Sequence, residues 1–192
     1  MSYKEWFGII ATVIAFISYI PYFRDIFADK TKPNAVTWLV WAILTAIGFL
    51  GQISGNAGPG AWAAGASTLI ATSVFGLALI KGQQNIVKTD FIMLGGAAAA
   101  LILWFVTKQP VLSVILITIV DMFGFVPTIR KSWNRPHEET LITFALSAVK
   151  HTFSLVAIVS YSLVTTLYPA YLVLANLVFI TLLYSRRKQL AL

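Results

Sequence analysis

A chain of 192 residues that is 58% hydrophobic and only 11% charged, with a mean hydropathy of +0.82, is not a water-soluble globule, for which about 25% charged residues is usual. The net charge is +7 and cysteine is absent, which excludes a disulfide framework, thiolate metal sites and a cysteine nucleophile.

A membrane-spanning helix needs about 20 mostly apolar residues, because in hydrocarbon each backbone polar group must be satisfied within the helix. Seven such stretches are predicted: 6–23, 35–53, 60–80, 90–106, 111–129, 139–160 and 168–185. The first follows a polar start, Met1 to Glu5, lacks a small-residue cleavage pattern and is kept as structure. It ends in Ser18-Tyr19-Ile20-Pro21-Tyr22-Phe23-Arg24. The second is opened by Pro33-Asn34-Ala35-Val36-Thr37-Trp38 and places Trp38 and Trp41 three apart, on one face. Those two rings suit an aromatic wall for a bound ring, or plain anchoring and packing. Gly51, Gly55, Gly58 and Gly60 crowd the junction with the third stretch, which Pro59 precedes and which carries Ser67 and Thr68. The fourth holds Gly95 and Gly96 beside four alanines, and all these small residues predict close backbone packing.

The fifth stretch carries Asp121 and ends in Gly124-Phe125-Val126-Pro127-Thr128-Ile129-Arg130. The sixth, opened by Pro136-His137-Glu138-Glu139-Thr140-Leu141, carries Lys150, His151 and Thr152. The acidic pair at its start favours the positive end of the helix dipole. The seventh, preceded by Pro169, carries Asn176.

Two of these boundaries repeat. Pro-x-x-Arg closes stretches one and five, and a proline followed four residues later by threonine opens stretches two and six. An odd number of helices per unit would invert a directly fused copy, and the fourth helix restores its direction. The predicted architecture is therefore an all-α integral membrane protein with seven transmembrane helices in a 3+1+3 plan of parallel repeats. Residues 1–81 form the first three-helix unit, 82–109 the linker and inversion helix, and 110–192 the second unit. Pro21, Pro127, Pro33 and Pro136 are the predicted gate or hinge positions, since a helical proline leaves a carbonyl unpaired and weakens the helix there.

Charge placement agrees with an odd helix count. Arg24, Lys30, Lys32, Lys81, Lys88, Arg130, Lys131, Arg135, Arg186, Arg187 and Lys188 fall on one face, against Lys4 and Lys108 on the other. By the positive-inside bias the amino terminus is outside and the carboxyl terminus cytoplasmic. This reading also accounts for the basic balance without nucleic acid, through short loops facing anionic lipid. Short loops and the lack of a tail point to a bacterial inner membrane. Trp6, Trp62 and Trp104 near the outer ends, with Trp38 and Trp133 near the inner ends, suit an interfacial belt.

With these corners, this charge pattern and the segment Leu174-Ala175-Asn176-Leu177-Val178, the chain resembles the SWEET, SemiSWEET and PQ-loop transporter superfamily over nearly its whole length. The name-giving Pro-Gln is replaced by Pro21-Tyr22 and Pro127-Thr128. The resemblance implies a pocket-facing asparagine at Asn176, with Ser67 or Thr68 at the corresponding place of the first unit. It also implies a solute among sugars, vitamin nucleosides and amino acids.

Ionisable groups at mid-bilayer cost about 2.5 to 3.5 kcal/mol on insertion scales, so they face the bundle interior. Asp121 and Lys150 are predicted at similar depth, where they form a static ion pair, or bind solute or a proton as the pair breaks and reforms. His151 is a proton relay or a packed neutral ring. Asn176 offers two donors and two lone pairs to a polar solute, or bonds a neighbouring helix. Substrate binding is thus assigned to Asn176, Ser67, Thr68, Trp41, His151 and Thr152, and the coupling or ion-pair role to Asp121 and Lys150. No metal or cofactor is implied.

The predicted function is a carrier moving a small polar solute by alternating access, with lipid as its other partner and homo-oligomerisation left open. The alternative is a non-transporting ligand or cargo receptor on the same fold. A retinal protein would need a lysine in the last helix, and 168–185 has none. An enzyme would need paired acids or a nucleophile that the spans lack.

Overall fold

The computed structural model describes residues 1–29, 33–82, 88–134, 136 and 141–190, the side chains of 89, 90, 126–128, 130 and 131 excepted. Lys30, Lys32, Arg135, His137, Glu138, Glu139 and Thr140 lie outside the described residues, as do the side chains of Pro127, Arg130 and Lys131. The regular structure of the described residues is helical: α1 (Tyr3–Phe27), α2 (Ala35–Ser54), a 3-10 turn (Gly58–Ala61), α3 (Trp62–Lys81), α4 (Lys88–Thr107), α5 (Pro110–Asn134), α6 (Leu141–Val156) and α7 (Leu163–Leu190).

Local chemistry explains where these helices begin. Ser2 and Glu5 form a reciprocal capping box, the Ser2 hydroxyl accepting from the Glu5 N–H at 3.3 Å and the Ser2 N–H donating to the Glu5 carboxylate at 2.6 Å. α1 therefore starts three residues before the predicted stretch. The Asn34 side-chain oxygen accepts from Thr37 N–H at 3.1 Å and starts α2. Ser162 and Thr165 exchange backbone-to-hydroxyl bonds of 2.9 and 3.3 Å, which starts α7 at Leu163, with Pro169 inside the helix and not before it. The sixth stretch stops at Val156, short of the predicted 160, where the chain turns over Ala157 and Ile158.

The Pro-x-x-Arg corners do not end their helices. α1 continues through Pro21 to Phe27, and α5 continues through position 127 to Asn134. Proline at 21 removes only the bond to the Ile17 carbonyl, and the helix then carries on until Ala28 bonds Arg24 O and Asp29 turns left-handed. Pro33 is buried just ahead of α2, and Pro136 is buried between α5 and α6.

Among the described residues four spans are long and apolar enough to cross a membrane: Tyr3–Phe27, Ala35–Ser54, Gly58–Lys81 and Leu163–Leu190. Phe91–Thr107, Pro110–Phe125 and Leu141–Val156 are shorter apolar stretches. Large apolar side chains cover the outside: Ile80 is 82% exposed, Val106 76% and Phe105 72%. Such a surface suits lipid as the solvent.

α3 packs against both α1 and α2, and α7 against both α5 and α6. Across the bundle α1 lies on α6 and α2 on α5, while α4 packs against α2 and α5. Glycine makes the α2 contacts close. A Cβ on Gly48 would sit 2.9 Å from the Tyr168 ring, one on Gly51 3.0 Å from Val114, and one on Gly55 2.5 Å from Thr165. The expected close packing holds at Gly51, Gly55, Gly58, Gly60 and Gly96, but Gly95 faces open space. One apolar core joins α2, α4, α5 and α7 through Leu44, Ile47, Ala97, Ala100, Ile117 and Tyr168. A second lies within α1–α3, around Ala15, Trp38, Ile70 and Val74.

Candidate functional site

The bundle has two chemically different ends. At the end where α1 begins and α6 finishes, the first three helices are bonded to the last three. Val159 N–H donates to Ala57 O at 2.9 Å. The Ser154 hydroxyl donates to Gly60 O at 2.6 Å, and Lys4 Nζ to Val159 O at 3.4 Å. Phe7 meets Phe153 with ring centroids 5.4 Å apart. Ala57, Ala61 and Ile158 form a small fully buried cluster beneath these bonds. Gly58, at φ +61, lets the turn pass Val159, and a Cβ there would stand 3.4 Å from the Val159 Cβ.

At the opposite, basic end the bonds found among the described residues join helices of the same set of three. Lys81 Nζ at the end of α3 pairs with Asp29 at 2.9 Å and reaches Phe27 O at 3.4 Å, at the end of α1. Near the end of α7, Arg186 donates to Trp133 O in the last turn of α5 at 3.0 Å, and Arg187 to Pro136 O just beyond α5 at 3.1 Å. Aromatic rings also gather separately. Tyr19, Tyr22, Trp38 and Trp41 pack together on α1 and α2. Phe125, Phe144 and Phe179 pack together on α5, α6 and α7. Trp38 is 5% exposed and donates to the Tyr22 hydroxyl at 3.2 Å, so it belongs to this buried cluster and not to an interfacial belt. Trp41 is on the same cluster's rim, 38% exposed and edge-on to Trp38.

The predicted ion pair between Asp121 and Lys150 does not form. α5 and α6 do not pack on each other among the described residues, since α7 lies between them. Lys150 is 6% exposed and donates to the Ser67 hydroxyl of α3 at 3.2 Å. It lies six residues before the end of α6, whereas Asp121 lies eleven residues into α5, so their depths differ as well. Buried His151 is its neighbour. Ser67 thus bridges the two sets of helices, while Thr68 turns its hydroxyl to its own Ala64 O at 3.0 Å. Thr152 is exposed and bonds Ala148 O at 2.8 Å, because it falls outside the buried face that Lys150, His151 and Ser154 share.

Asp121 instead faces tyrosines. It is half-buried, in electrostatic reach of Tyr168 and Tyr171 on α7, and Tyr168 is likewise in reach of Tyr19 on α1. The Tyr171 hydroxyl is buried and makes no hydrogen bond within 3.5 Å, and the Asp121 carboxylate is the acceptor towards which it can donate. Asn176 is 5% exposed on the buried face of α7 that also carries Thr165, Tyr168, Phe179 and Leu183. Its amide donates to Leu172 O at 2.6 Å on its own helix. Sequence reasoning did not single out Tyr19, Tyr168 or Tyr171. The i, i+3 spacing of Tyr168 and Tyr171 is the signal that was there to find. Gln52, 2% exposed near the end of α2 with its side-chain oxygen unbonded, was also missed.

A cleft of about 220 Å³ lies between α5 and α7, lined by Met122, Phe125, Ile129, Leu174, Val178 and Leu182 among others. It is apolar and opens on the outer face, and so is distinct from the Asp121–tyrosine group it borders through Tyr171. Comparison with protein-family models, with curated proteins and with solved structures finds no match to this chain.

Proposed function

We propose that this chain is a carrier that moves a small polar solute across a membrane by alternating access. In this reading all seven helices span, as two parallel triplets around α4, with the amino terminus outside and the basic end in the cytoplasm of a bacterium. The resemblance to the SWEET and PQ-loop superfamily belongs to the same proposal.

The observation that carries it is the one-sided closure. The hydrogen bonds described between α1–α3 and α5–α7 all lie towards the end where α1 begins, and those at the basic end stay within each triplet. Two units whose described hydrogen bonds to one another gather at one end, beside the apolar core that α2 shares with α5 and α7, fit a carrier caught open to one side. The repeat reading has parallel support. In each triplet the third helix packs between the first two, and in each a cation at its end grasps the end of the first helix. Tyr19 also aligns with Phe125 across the Pro-x-x-Arg repeat and Trp41 with Phe144 across the proline-to-threonine repeat, and each pair belongs to the aromatic cluster of its own triplet.

Between the triplets, Asp121, the Tyr168 and Tyr171 hydroxyls, Lys150 and Asn176 supply donors and acceptors to a solute with hydroxyl, amide or charged groups. Counterflow of radiolabelled sugars, nucleosides and amino acids into proteoliposomes tests the reading. The expected result is concentrative exchange of one class, diminished by Asp121→Asn or Tyr171→Phe. Tight binding without flux would favour a receptor, and neither binding nor flux across the panel would refute the carrier.

A further inference from the structure

We propose that the α5–α7 cleft binds an acyl chain of an anionic phospholipid whose phosphate is held by Arg186. The cleft's lining follows helical spacing on both walls, Met122, Phe125 and Ile129 on α5 and Tyr171, Ala175, Val178 and Leu182 on α7. Continued by one turn, these two stripes arrive at Trp133 and Arg186. The structure places those two together: Arg186 Nε donates to Trp133 O at 3.0 Å, and its guanidinium lies 4.6 Å from the indole centroid. An apolar channel thus ends at a cation on an aromatic ring, at the basic end of the bundle. Lipid presents the same sequence of chemistry, an acyl chain followed by an anionic headgroup.

The guanidinium has capacity to spare. Of five N–H donors, Arg186 uses Nε on Trp133 and one on Nη1, which bonds Gln189 Oε1 at 2.7 Å. No carboxylate pairs with it among the described residues, in contrast to Lys81 at the matching place of α3, which Asp29 neutralises. Headgroup recognition therefore belongs to the second triplet. Met122, Leu174 and Val178 stand 51%, 63% and 63% exposed along the cleft and wait for an apolar cover.

The test is native mass spectrometry of the delipidated full chain in detergent, given equimolar phosphatidylglycerol and phosphatidylcholine of the same chain length. The wild type is expected to retain phosphatidylglycerol over phosphatidylcholine by roughly fivefold, the effect of one interfacial cation. Arg186→Gln should abolish that preference while Arg186→Lys keeps it, which separates charge from any loosening of the α5–α7 contact. Val178→Trp, at an exposed position that tolerates bulk, should displace both lipids. Equal retention of the two lipids by the wild type, or a preference that survives Arg186→Gln, overturns the proposal. So does full competition by glycerol 3-phosphate, which has no acyl chain.

Discussion

Lys150 illustrates how a buried charge can be stabilised without its opposite. A cation in hydrocarbon is costly, and pairing with the other intramembrane charge, Asp121, is the economical expectation. The structure meets the cost differently, giving Lys150 a hydroxyl on α3 at 3.2 Å and Asp121 a tyrosine environment on α7. Residues that share no partner contribute additively to stability, within about 0.5 kcal/mol. A double-mutant cycle of Asp121→Asn and Lys150→Met, read by thermal unfolding in detergent, should therefore give a coupling energy below about 0.5 kcal/mol. A coupling of about 1.5 kcal/mol or more, as charge pairs in contact show, would restore the ion pair. The location of these residues inside the bundle was readable from charge and hydropathy. Their partners were not, because a one-dimensional depth estimate does not say which helix stands between two others.

At the scale of the element, glycine and proline carry the lesson. Gly48 and Gly95 look alike in sequence, each inside an apolar stretch, yet one lies against the Tyr168 ring and the other against nothing within 4 Å. Gly48→Ala should cost about 1 to 3 kcal/mol by overpacking. Gly95→Ala should be neutral or stabilise by up to about 1 kcal/mol through helix propensity. Thermal melts of the two variants side by side check the contrast, and equal shifts would contradict it. The prolines misled in the other direction. Pro21 reads as a stop, but one lost bond to Ile17 does not outweigh the packing of the following turn, where Ile26 is fully buried. Helix starts were set by polar residues of the adjoining turns: the caps at Ser2 and Ser162 begin α1 and α7 several residues ahead of the apolar stretch, while Asn34 fixes the start of α2 where hydropathy had placed it.

For the molecule as a whole, helical class and lipid solvation follow directly from composition, and the seven apolar stretches correspond to the seven described helices in order. Which helix packs between which others depends on long-range contacts that hydropathy does not encode. The closure at one end was equally hidden, since its bonds end on backbone carbonyls and one of them, Val159 N–H to Ala57 O, is a bond that any non-proline residue could make.

That closure is also the handle for testing the carrier. The chain has no cysteine, so Gly58→Cys with Val159→Cys introduces the only thiols. The 3.4 Å between a Cβ at position 58 and the Val159 Cβ is close to the usual disulfide range of about 3.5 to 4.5 Å. Solute counterflow through the double variant is measured oxidised and then reduced. Alternating access predicts that the disulfide stops flux and that reduction restores it, because the joined ends must part in every cycle. Flux at an undiminished rate through the oxidised protein would contradict it.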